Sequence, residues 1–330
     1  MNSEDNLPKL GLVITQKNEV AILNYNIEYH RHMGISHFYI FDDGSTDTSM
    51  NTVPDAEGIY KFHETDFLNI PDEMESIRLK ALDGNWMGRQ ILNTYKALQL
   101  AKKQSVDWLF FIDADELVFL GSEKEDSFRK VFSEIELDID VVHFNTVFEV
   151  VQNRGSCDNI FKSSTYFKTP EYHKSNERNI LNPMLDEIVK LKGYFGHTRG
   201  KQAARVKSNL LPKSSHSFKK RNGDNPKIMT LGQILHYHGC SFNEFIKQNS
   251  IRHPSHFIYG KDVPYYPKLF WRNLVLDSGM TTSELRTYYE QWIMFSDEEI
   301  ARLLVESNNG NPVLINFQKI RKIWNKIEEI

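Results

Sequence analysis

Three carboxylates follow an apolar run in the segment WLFFIDADEL, residues 108–117. Asp113, Asp115 and Glu116 come directly after the apolar side chains. Side chains alternate between the two faces of an extended chain, so Asp113 and Asp115 would point the same way and repel each other. A divalent cation removes that repulsion, and Mg²⁺ or Mn²⁺ binds carboxylate oxygens while keeping positions open for phosphates. The spacing therefore predicts a metal site, with an acidic turn as the alternative.

Two further polar clusters come at the ends of apolar segments. Asp42 and Asp43 precede a Gly-Ser-Thr-Asp turn, and Thr15, Lys17 and Glu19 follow the first apolar segment. A carboxylate at such a turn can accept hydrogen bonds from a nucleobase N–H or a ribose hydroxyl. A simple Asx turn is the alternative for the aspartate pair.

An alternation of strands and helices would bring these clusters together. The predicted strands are 10–16, 37–43, 58–64 and 108–114, and the predicted helices are 18–34, with Asn18 as its cap, and 85–103. Continuous apolar strands separated by helices indicate a parallel sheet that is covered on both faces. Ligands of such sheets bind beyond the carboxyl ends of the strands, where the three polar clusters lie.

The rest of the chain is predicted to be a second half and a helical end. A helix over 123–136 and a strand over 141–151 are followed by an irregular polar region to residue 230. We expect three ranges: 1–120, 121–245 and a helical region over 246–330. The segment 317–330 predicts a helix with an apolar stripe that docks against the domain, with membrane-surface or partner binding as the alternative.

Positive charge is concentrated in residues 190–272, which contain 16 Lys and Arg residues but only three acidic residues. Such a field attracts phosphates, anionic lipid headgroups or nucleic acid, and a solvated basic face is the alternative. If 200–206 is helical, Lys201 and Arg205 share a face and repel each other unless an anion bridges them. A diphosphate would serve, so both are candidate phosphate contacts.

Composition and length exclude several classes of protein. The 330 residues are 40% hydrophobic and 25% charged, an ordinary globular composition. The two cysteines do not make a disulfide framework and favour a reducing compartment. The polar, acidic start predicts no secretory signal, and no apolar stretch is long enough to span a bilayer. We expect a cytoplasmic protein, or one peripheral to the inner membrane face.

Four motifs in order carry a resemblance to a known family. They are Lys17-Asn18-Glu19, the segment from Gly34 to Asp47, Gln90 with Tyr95, and the segment from Trp108 to Leu117. Together they resemble glycosyltransferase family 2 with the GT-A fold, and in particular the branch related to glycosyltransferase family 92. The Phe that this branch shows after Glu116 is Leu117 here. The resemblance covers roughly residues 10–120.

The resemblance implies a Rossmann-like, mostly parallel sheet and a nucleoside diphosphate sugar, with UDP as the expected nucleotide. The first strand end, Asp42 and Asp43 would hold the nucleoside. Asp113 and Asp115 would hold the diphosphate through Mn²⁺ or Mg²⁺. In related enzymes a histidine near the end of the catalytic domain completes the metal shell or contacts the diphosphate. His236 and His238 are therefore candidate ligands, although a buried histidine is more often a hydrogen-bonded core residue.

An inverting transfer needs a carboxylate that takes the proton of the acceptor hydroxyl. Glu149, at the end of a predicted strand, is the preferred candidate, followed by Asp186 and Glu187. We therefore predict a metal-dependent glycosyltransferase that acts on a glycan or lipid-linked acceptor in surface polysaccharide synthesis, with no nucleic acid partner. The alternatives are a sugar nucleotidyltransferase, which should carry a glycine-rich first loop, and a non-catalytic carbohydrate- or nucleic-acid-binding module.

Overall fold

A computed structural model describes most of the chain, and its contacts divide it into two compact units. The described residues are 7–122, 127–152, 159–172, 199–251, 258–259, 263–264, 266–307 and 312–329. The first unit comprises Met1–Thr146, Arg199–Ile234 and Lys322–Ile330; the second comprises Val147–Thr198 and Leu235–Arg321. This division differs from the three ranges expected from the sequence, because the chain returns to the first unit at residue 199.

The strands and helices are numbered in chain order. The strands up to residue 150 are β1 Leu10–Gln16, β2 His37–Asp42, β3 Ile59–Phe62, β4 Trp108–Phe111, β5 Glu116–Phe119, β6 Val141–Phe144 and β7 Thr146–Val150. The later strands are β8 Tyr166–Lys168, β9 Lys201–Arg205, β10 Leu210–Ser214, β11 Ser217–Lys220, β12 Ile228–Thr230, β13 Gln233–His236, β14 Ile258–Tyr259, β15 Val263–Pro264 and β16 Leu314–Asn316. The helices of the first half are α1 Leu23–His32, α2 Ser49–Thr52, α3 Glu75–Leu82, α4 Trp86–Lys103 and α5 Ser127–Ser133. Those of the second half are α6 Phe242–Ile251, α7 Tyr266–Asp277, α8 Thr282–Trp292, α9 Asp297–Ser307 and α10 Gln318–Glu328.

The first unit is built on a seven-stranded sheet in the order β12-β6-β9-β4-β1-β2-β3. Strand β1 pairs in parallel with both β2 and β4, and β2 pairs in parallel with β3. Strand β9 lies antiparallel between β4 and β6. The predicted mostly parallel α/β sheet is confirmed. The prediction that residues up to 230 are irregular is wrong for β9 to β12.

Helices cover both faces of this sheet, as the apolar strands predict. Leu109 and Phe111 of β4 belong to a buried cluster with Ala97 and Leu98 of α4. The next side chain along β4, Phe110, stacks on Phe128 of α5 at 5.8 Å between ring centroids. Because neighbouring side chains of a strand point to opposite faces, a strand that is apolar throughout needs a cover on each side.

Helix α1 is shorter than predicted, and Asn18 does not cap it. Asn18 has a positive φ of 58°. Its side-chain oxygen instead accepts hydrogen bonds from the backbone N–H of Thr46, at 2.7 Å, and of Asp47, at 3.3 Å. The predicted stop is confirmed, because Gly34 adopts φ 103°, a conformation that glycine reaches at low cost. Asn18 therefore joins the loop after β1 to the loop after β2.

The second unit contains a smaller antiparallel sheet and most of the C-terminal helices. Strand β8 pairs with β7 on one side and with β16 on the other. The predicted strand over 141–151 is divided at Asn145 into β6 and β7, which belong to different sheets. The helical region is confirmed, with Phe245, Trp271 and Tyr289 in its core.

The end of helix α10 lies in the first unit and docks there. Trp324 is 1% exposed, and its ring lies 5.9 Å from that of Tyr29 on α1 and 6.3 Å from that of Tyr25. This confirms the docking interpretation for the apolar stripe. Among the described residues, no helix combines the length and the apolar character that crossing a membrane requires.

Candidate functional site

The carboxyl ends of β1, β2 and β4 meet at one edge of the seven-stranded sheet. Gln16 lies opposite Asp42 in the register of β1 and β2. Val13 lies opposite Phe111, the last residue of β4, so the residues that follow both strands share this edge. The structure thus brings together the three polar clusters that the sequence singled out.

A buried lysine holds the acidic segment after β4. Lys201 is 0% exposed, and its ammonium lies 2.7 Å from an Asp113 carboxylate oxygen and 3.5 Å from a Glu116 oxygen. The other Asp113 oxygen accepts a hydrogen bond from the Gln90 amide at 2.5 Å. The Glu116 carboxylate also accepts one from the backbone N–H of Asp113 at 2.8 Å. Lys201 and Gln90 therefore hold the Asp113 carboxylate in place, and Lys201 also lies beside Glu116.

The backbone after β4 differs from the extended chain on which the metal prediction was based. Strand β4 ends at Phe111, and the backbone N–H of Glu116 bonds the carbonyl of Asp113 at 3.2 Å, so residues 113–116 form a turn. Asp113 and Asp115 are not alternate residues of one extended strand. Lys201 neutralises one charge, but three carboxylates surround it, and the segment keeps an excess of negative charge. Asp115 lies within this turn and is partly exposed, as is Asp113.

The charge of Lys201 is maintained by its neighbours. Burial alone would lower the pKa of its ammonium, but the charges of Asp113 and Glu116 outweigh the desolvation and the pKa is raised. The ammonium also lies 5.3 Å from the Phe111 ring centroid. Gly200, just before it, has φ +68°, and a Cβ there would lie 2.2 Å from the carbonyl oxygen of Phe144. The close approach of β9 to β6 thus requires glycine beside this lysine.

The aspartates after β2 are both engaged by side chains. Asp42 accepts hydrogen bonds at 2.5 Å from the Gln16 amide and from the Ser45 hydroxyl. Asp43 forms a bidentate pair with Arg89, at 2.5 and 2.8 Å. The hydrogen bond to Asp43 raises the pKa of Arg89. The two carboxylates are held in fixed orientations, which suits groups that recognise a ligand.

The first turns of α4 supply the residues that sequence reasoning missed. Asn85 caps the helix by accepting a hydrogen bond from the backbone N–H of Gly88 at 2.8 Å. Arg89 then reaches Asp43, and the Asn93 amide donates to the Thr15 hydroxyl at 3.1 Å. The available signal was the group of polar residues 89, 90 and 93 in the first half of the helix, among apolar residues such as Ile91 and Leu92. It marks a helix face that is turned toward the sheet edge rather than toward water.

Lys17 and Glu19 lie in the loop after β1. Both are partly buried, and the backbone N–H of Glu19 donates to the Gln16 side chain at 3.3 Å. Asn18 between them bonds the loop after β2, as described above. The structure therefore places both residues beside the Asp42 end of the edge.

Arg205 lies at the other end of β9, away from this edge. It is opposite Trp108, the first residue of β4, with its guanidinium 4.3 Å from the Trp108 ring centroid. It donates to the backbone carbonyls of Ile139, at 2.6 Å, and Glu136, at 2.7 Å. The shared face of Lys201 and Arg205 depended on a helix over 200–206, but the segment forms strand β9, in which four residues span far more than one helical turn. Arg205 and Lys201 do not share an anion.

Comparison with known proteins gives two relatives. No family model matches the chain. The chain is 23% identical over 290 residues to a glycosyltransferase-like protein of Arabidopsis thaliana, which is 83% of this chain and 63% of that protein. It is 26% identical over 224 residues to a second such protein of the same plant, 64% of this chain and 43% of that protein. The chain spans less than two thirds of the length of the curated relatives it matches.

Among solved structures, the chain is similar to a mannosyltransferase from Pyrobaculum calidifontis in complex with GDP-Man and Mn²⁺. The identity is 12%, and the match covers 98% of this chain and 84% of that chain with a TM-score of 0.33.

The second unit holds the remaining candidates. His236, at the end of β13, and His238 are both buried, and their rings lie 5.2 Å apart. A ring nitrogen of one lies within 4.8 Å of a ring nitrogen of the other, close enough for both to bind one ion. Strand β13 ends at His236, and His238 follows it. Asp186 and Glu187 lie outside the described residues.

Glu149 is buried in an ion pair with Lys168. It lies opposite Lys168 in the register of β7 and β8, and the carboxylate and ammonium are 2.7 Å apart, with both side chains 0% exposed. Lys168 also donates to the Gln152 side chain at 3.0 Å. Burial lowers the pKa of Lys168, and the charge of Glu149 opposes that shift. The ion pair gives Glu149 a structural role, and its assignment as the catalytic base stays a prediction.

We expect Lys168→Met to lower the free energy of unfolding by about 3–5 kcal/mol, because it leaves the buried Glu149 charge uncompensated. Urea unfolding of the full chain measures this. The double variant Lys168→Met/Glu149→Gln should recover most of the loss. A single variant as stable as the wild type would show that the pair contributes little and would leave Glu149 open to another role.

Proposed function

We propose that this chain is a metal-dependent glycosyltransferase of the GT-A type. It would transfer a sugar from a nucleoside diphosphate donor, with UDP as the expected nucleotide, to a glycan or lipid-linked acceptor with inversion. The observation that carries this proposal is the collection of Asp42, Asp43, Asp113, Asp115 and Lys201 at the carboxyl edge of a mostly parallel sheet. Ligands of open α/β sheets bind at that edge. The names of the two plant relatives support the same class of enzyme.

We assign the nucleoside to the Thr15 and Asp42 side of the edge. Carboxylates accept hydrogen bonds from base N–H groups and ribose hydroxyls, and Asp42 and Asp43 are held in fixed orientations by Gln16 and Arg89. Lys201 and the acidic segment lie at the end of β4. The diphosphate would lie there, and Lys201 would contribute positive charge near it.

We propose that Asp115 binds the metal, with His236 and His238 as the further candidate ligands that the resemblance implies. Asp115 is a partly exposed carboxylate of the first unit, and the two imidazoles of the second unit have ring nitrogens within 4.8 Å of each other. Imidazole nitrogen suits Mn²⁺ better than Mg²⁺, which is bound mainly through oxygen and water. The residues present therefore fit Mn²⁺. When bound, the ion would stabilise the negative charge that develops on the departing nucleoside diphosphate.

The hydrogen bonds of Asp113 suggest a different role from that of Asp115. Its two oxygens accept from Gln90 and Lys201. We propose that Asp113 orients Lys201 and the donor, while Asp115 binds the ion. Asp186 and Glu187 remain the proposed candidates for the base that takes the acceptor proton.

The sequence of the loop after β1 does not fit a sugar nucleotidyltransferase. That class should carry a glycine-rich loop to wrap the phosphates, whereas residues 15–19 read Thr-Gln-Lys-Asn-Glu. No glycine lies in this turn, and its side chains are bonded to the β2 loop through Asn18.

Isothermal titration with UDP and with GDP, each with and without Mn²⁺, tests the proposal. We expect UDP to bind in the presence of Mn²⁺ and at least tenfold more weakly in its absence. A ligand that binds only the folded state, and is present at a concentration of about 100 times its Kd, adds about 2.7 kcal/mol to the free energy of unfolding. The melting temperature should therefore also rise. Equal binding with and without the ion would exclude the metal role, and no binding of either nucleotide would exclude a nucleotide-sugar enzyme.

A further inference from the structure

The backbone around Asp115 is held from helix α1 by a buried asparagine. Asn26 is 0% exposed. Its side-chain amide donates one hydrogen bond to the carbonyl of Ala114 at 2.9 Å and one to the carbonyl of Glu116 at 2.8 Å. These carbonyls belong to the residues on either side of Asp115. One amide group therefore spans the turn that carries the proposed metal ligand.

The orientation of this amide is set by a second buried residue of α1. The His30 Nδ1 atom lies 2.9 Å from the Asn26 side-chain oxygen, and His30 Nε2 accepts a hydrogen bond from the backbone N–H of Val118 at 3.3 Å. Because Nε2 accepts, the proton of the neutral ring is on Nδ1, which donates to the Asn26 side-chain oxygen and to the Asn26 backbone carbonyl, both at 2.9 Å. The Asn26 nitrogen must then face the turn.

The same helix also holds the strand that follows the turn. The Tyr29 hydroxyl donates to the carbonyl of Val118 at 2.9 Å, and Tyr29 and His30 are both 0% exposed. Burial lowers the pKa of His30 to about 4, so the ring is neutral at pH 7, as its acceptor role requires. Helix α1 thus bonds the chain at residues 114, 116 and 118.

We propose that Asn26, oriented by His30, is a positioning residue that aims the Asp115 carboxylate for divalent-cation binding. This inference rests on the proposed function. The bonds of Lys201 and Gln90 restrain the side chains of Asp113 and Glu116, whereas the bonds of Asn26 restrain the main chain on either side of Asp115. A ligand placed about 0.5 Å from its productive position loses much of its effect. Residues that orient metal ligands commonly contribute 10–100-fold to metal affinity.

The test compares Asn26→Ala with Asn24→Ala on the same helix. Asn24 is partly buried and its amide bonds Glu28 at 2.7 Å, away from the turn. Mn²⁺ affinity in the presence of UDP is measured by electron paramagnetic resonance, and backbone hydrogen exchange is measured for residues 113–118. We expect Asn26→Ala to weaken Mn²⁺ binding at least tenfold and to speed exchange in this segment, while Asn24→Ala changes affinity less than twofold.

The outcomes separate this inference from the proposed function. If the wild-type chain binds Mn²⁺ and UDP, and Asn26→Ala lowers only the melting temperature while affinity and local exchange are unchanged, Asn26 is merely structural and the inference is overturned. If the wild-type chain binds neither, the proposed function fails and this inference fails with it. Should Asn26→Ala not fold, Asn26→Ser, which keeps one donor, is expected to fold and to show an intermediate loss of Mn²⁺ affinity.

Discussion

Replacing Asp115 with asparagine should lower the rate of sugar transfer by about 10³-fold, which corresponds to about 4 kcal/mol of lost transition-state stabilisation. The amide has nearly the size of the carboxylate, so the turn should keep its shape while the anionic metal ligand is lost. The measurements are donor hydrolysis across a Mn²⁺ titration and Mn²⁺ binding by electron paramagnetic resonance. Asp83→Asn, at an exposed position after α3, is the matched control and should behave like the wild type.

Asp113→Asn distinguishes the two aspartates of the motif. Because Asp113 accepts from Lys201 and Gln90, its replacement should disturb nucleotide binding and stability more than Mn²⁺ affinity. The opposite pattern, with Mn²⁺ affinity lost in Asp113→Asn and kept in Asp115→Asn, would move the metal to Asp113. Full activity of Asp115→Asn would show that Asp115 does not bind a catalytic metal.

The second large effect is expected for Lys201→Met, which should lower the free energy of unfolding by about 3–5 kcal/mol. Its ammonium is the buried partner of Asp113 and Glu116, and removing one side of a buried ion pair leaves an uncompensated charge. Urea denaturation measures the change. Lys207→Met, whose side chain is 79% exposed, is the control and should change stability by no more than about 0.5 kcal/mol.

The stability that Lys201 contributes should depend on pH in a defined direction. The pKa of Lys201 is raised in the folded chain. The contribution of this shift to the free energy of unfolding is therefore complete below the unfolded pKa of about 10.4, and it is lost as the pH rises through the folded pKa. The stability difference between wild type and variant should therefore be constant between about pH 6 and 9. The double variant Lys201→Met/Glu116→Gln should be more stable than the single variant. A variant no less stable than the Lys207→Met control would contradict the stabilising role of the buried pair.

The first half of the fold could be predicted because its signals are local. Strand β1 is apolar from Leu10 to Ile14 and buried throughout, and a run of that kind has few alternatives to a covered strand. Helix α4 begins after Asn85 and ends in Lys102 and Lys103, which suit a helix C-terminus. From such elements the parallel sheet, and the edge where its ligand should lie, follow by general rules.

Segments after residue 140 were harder to predict because their partners are far away in sequence. Residues 201–205 carry charges at both ends and resemble a helix face, yet they complete a central strand because β4 and β6 offer open edges on either side. The same pairing determines the position of each cationic side chain: Lys201 lies beside the acidic turn, and Arg205 lies beside Trp108. Tertiary pairing here overrides a weak local preference.

By itself the amino-acid sequence determined the main strands and helices of the first half, the carboxylates that follow β4 and the polar clusters at one sheet edge. Only the tertiary structure decided the charge balance of that turn. Lys201 is 88 residues from Asp113 along the chain and Asn26 is 88 residues from Ala114. Periodicity and spacing report on neighbours within one element, whereas a buried charge is compensated by whichever side chain the packed sheets bring within about 3 Å.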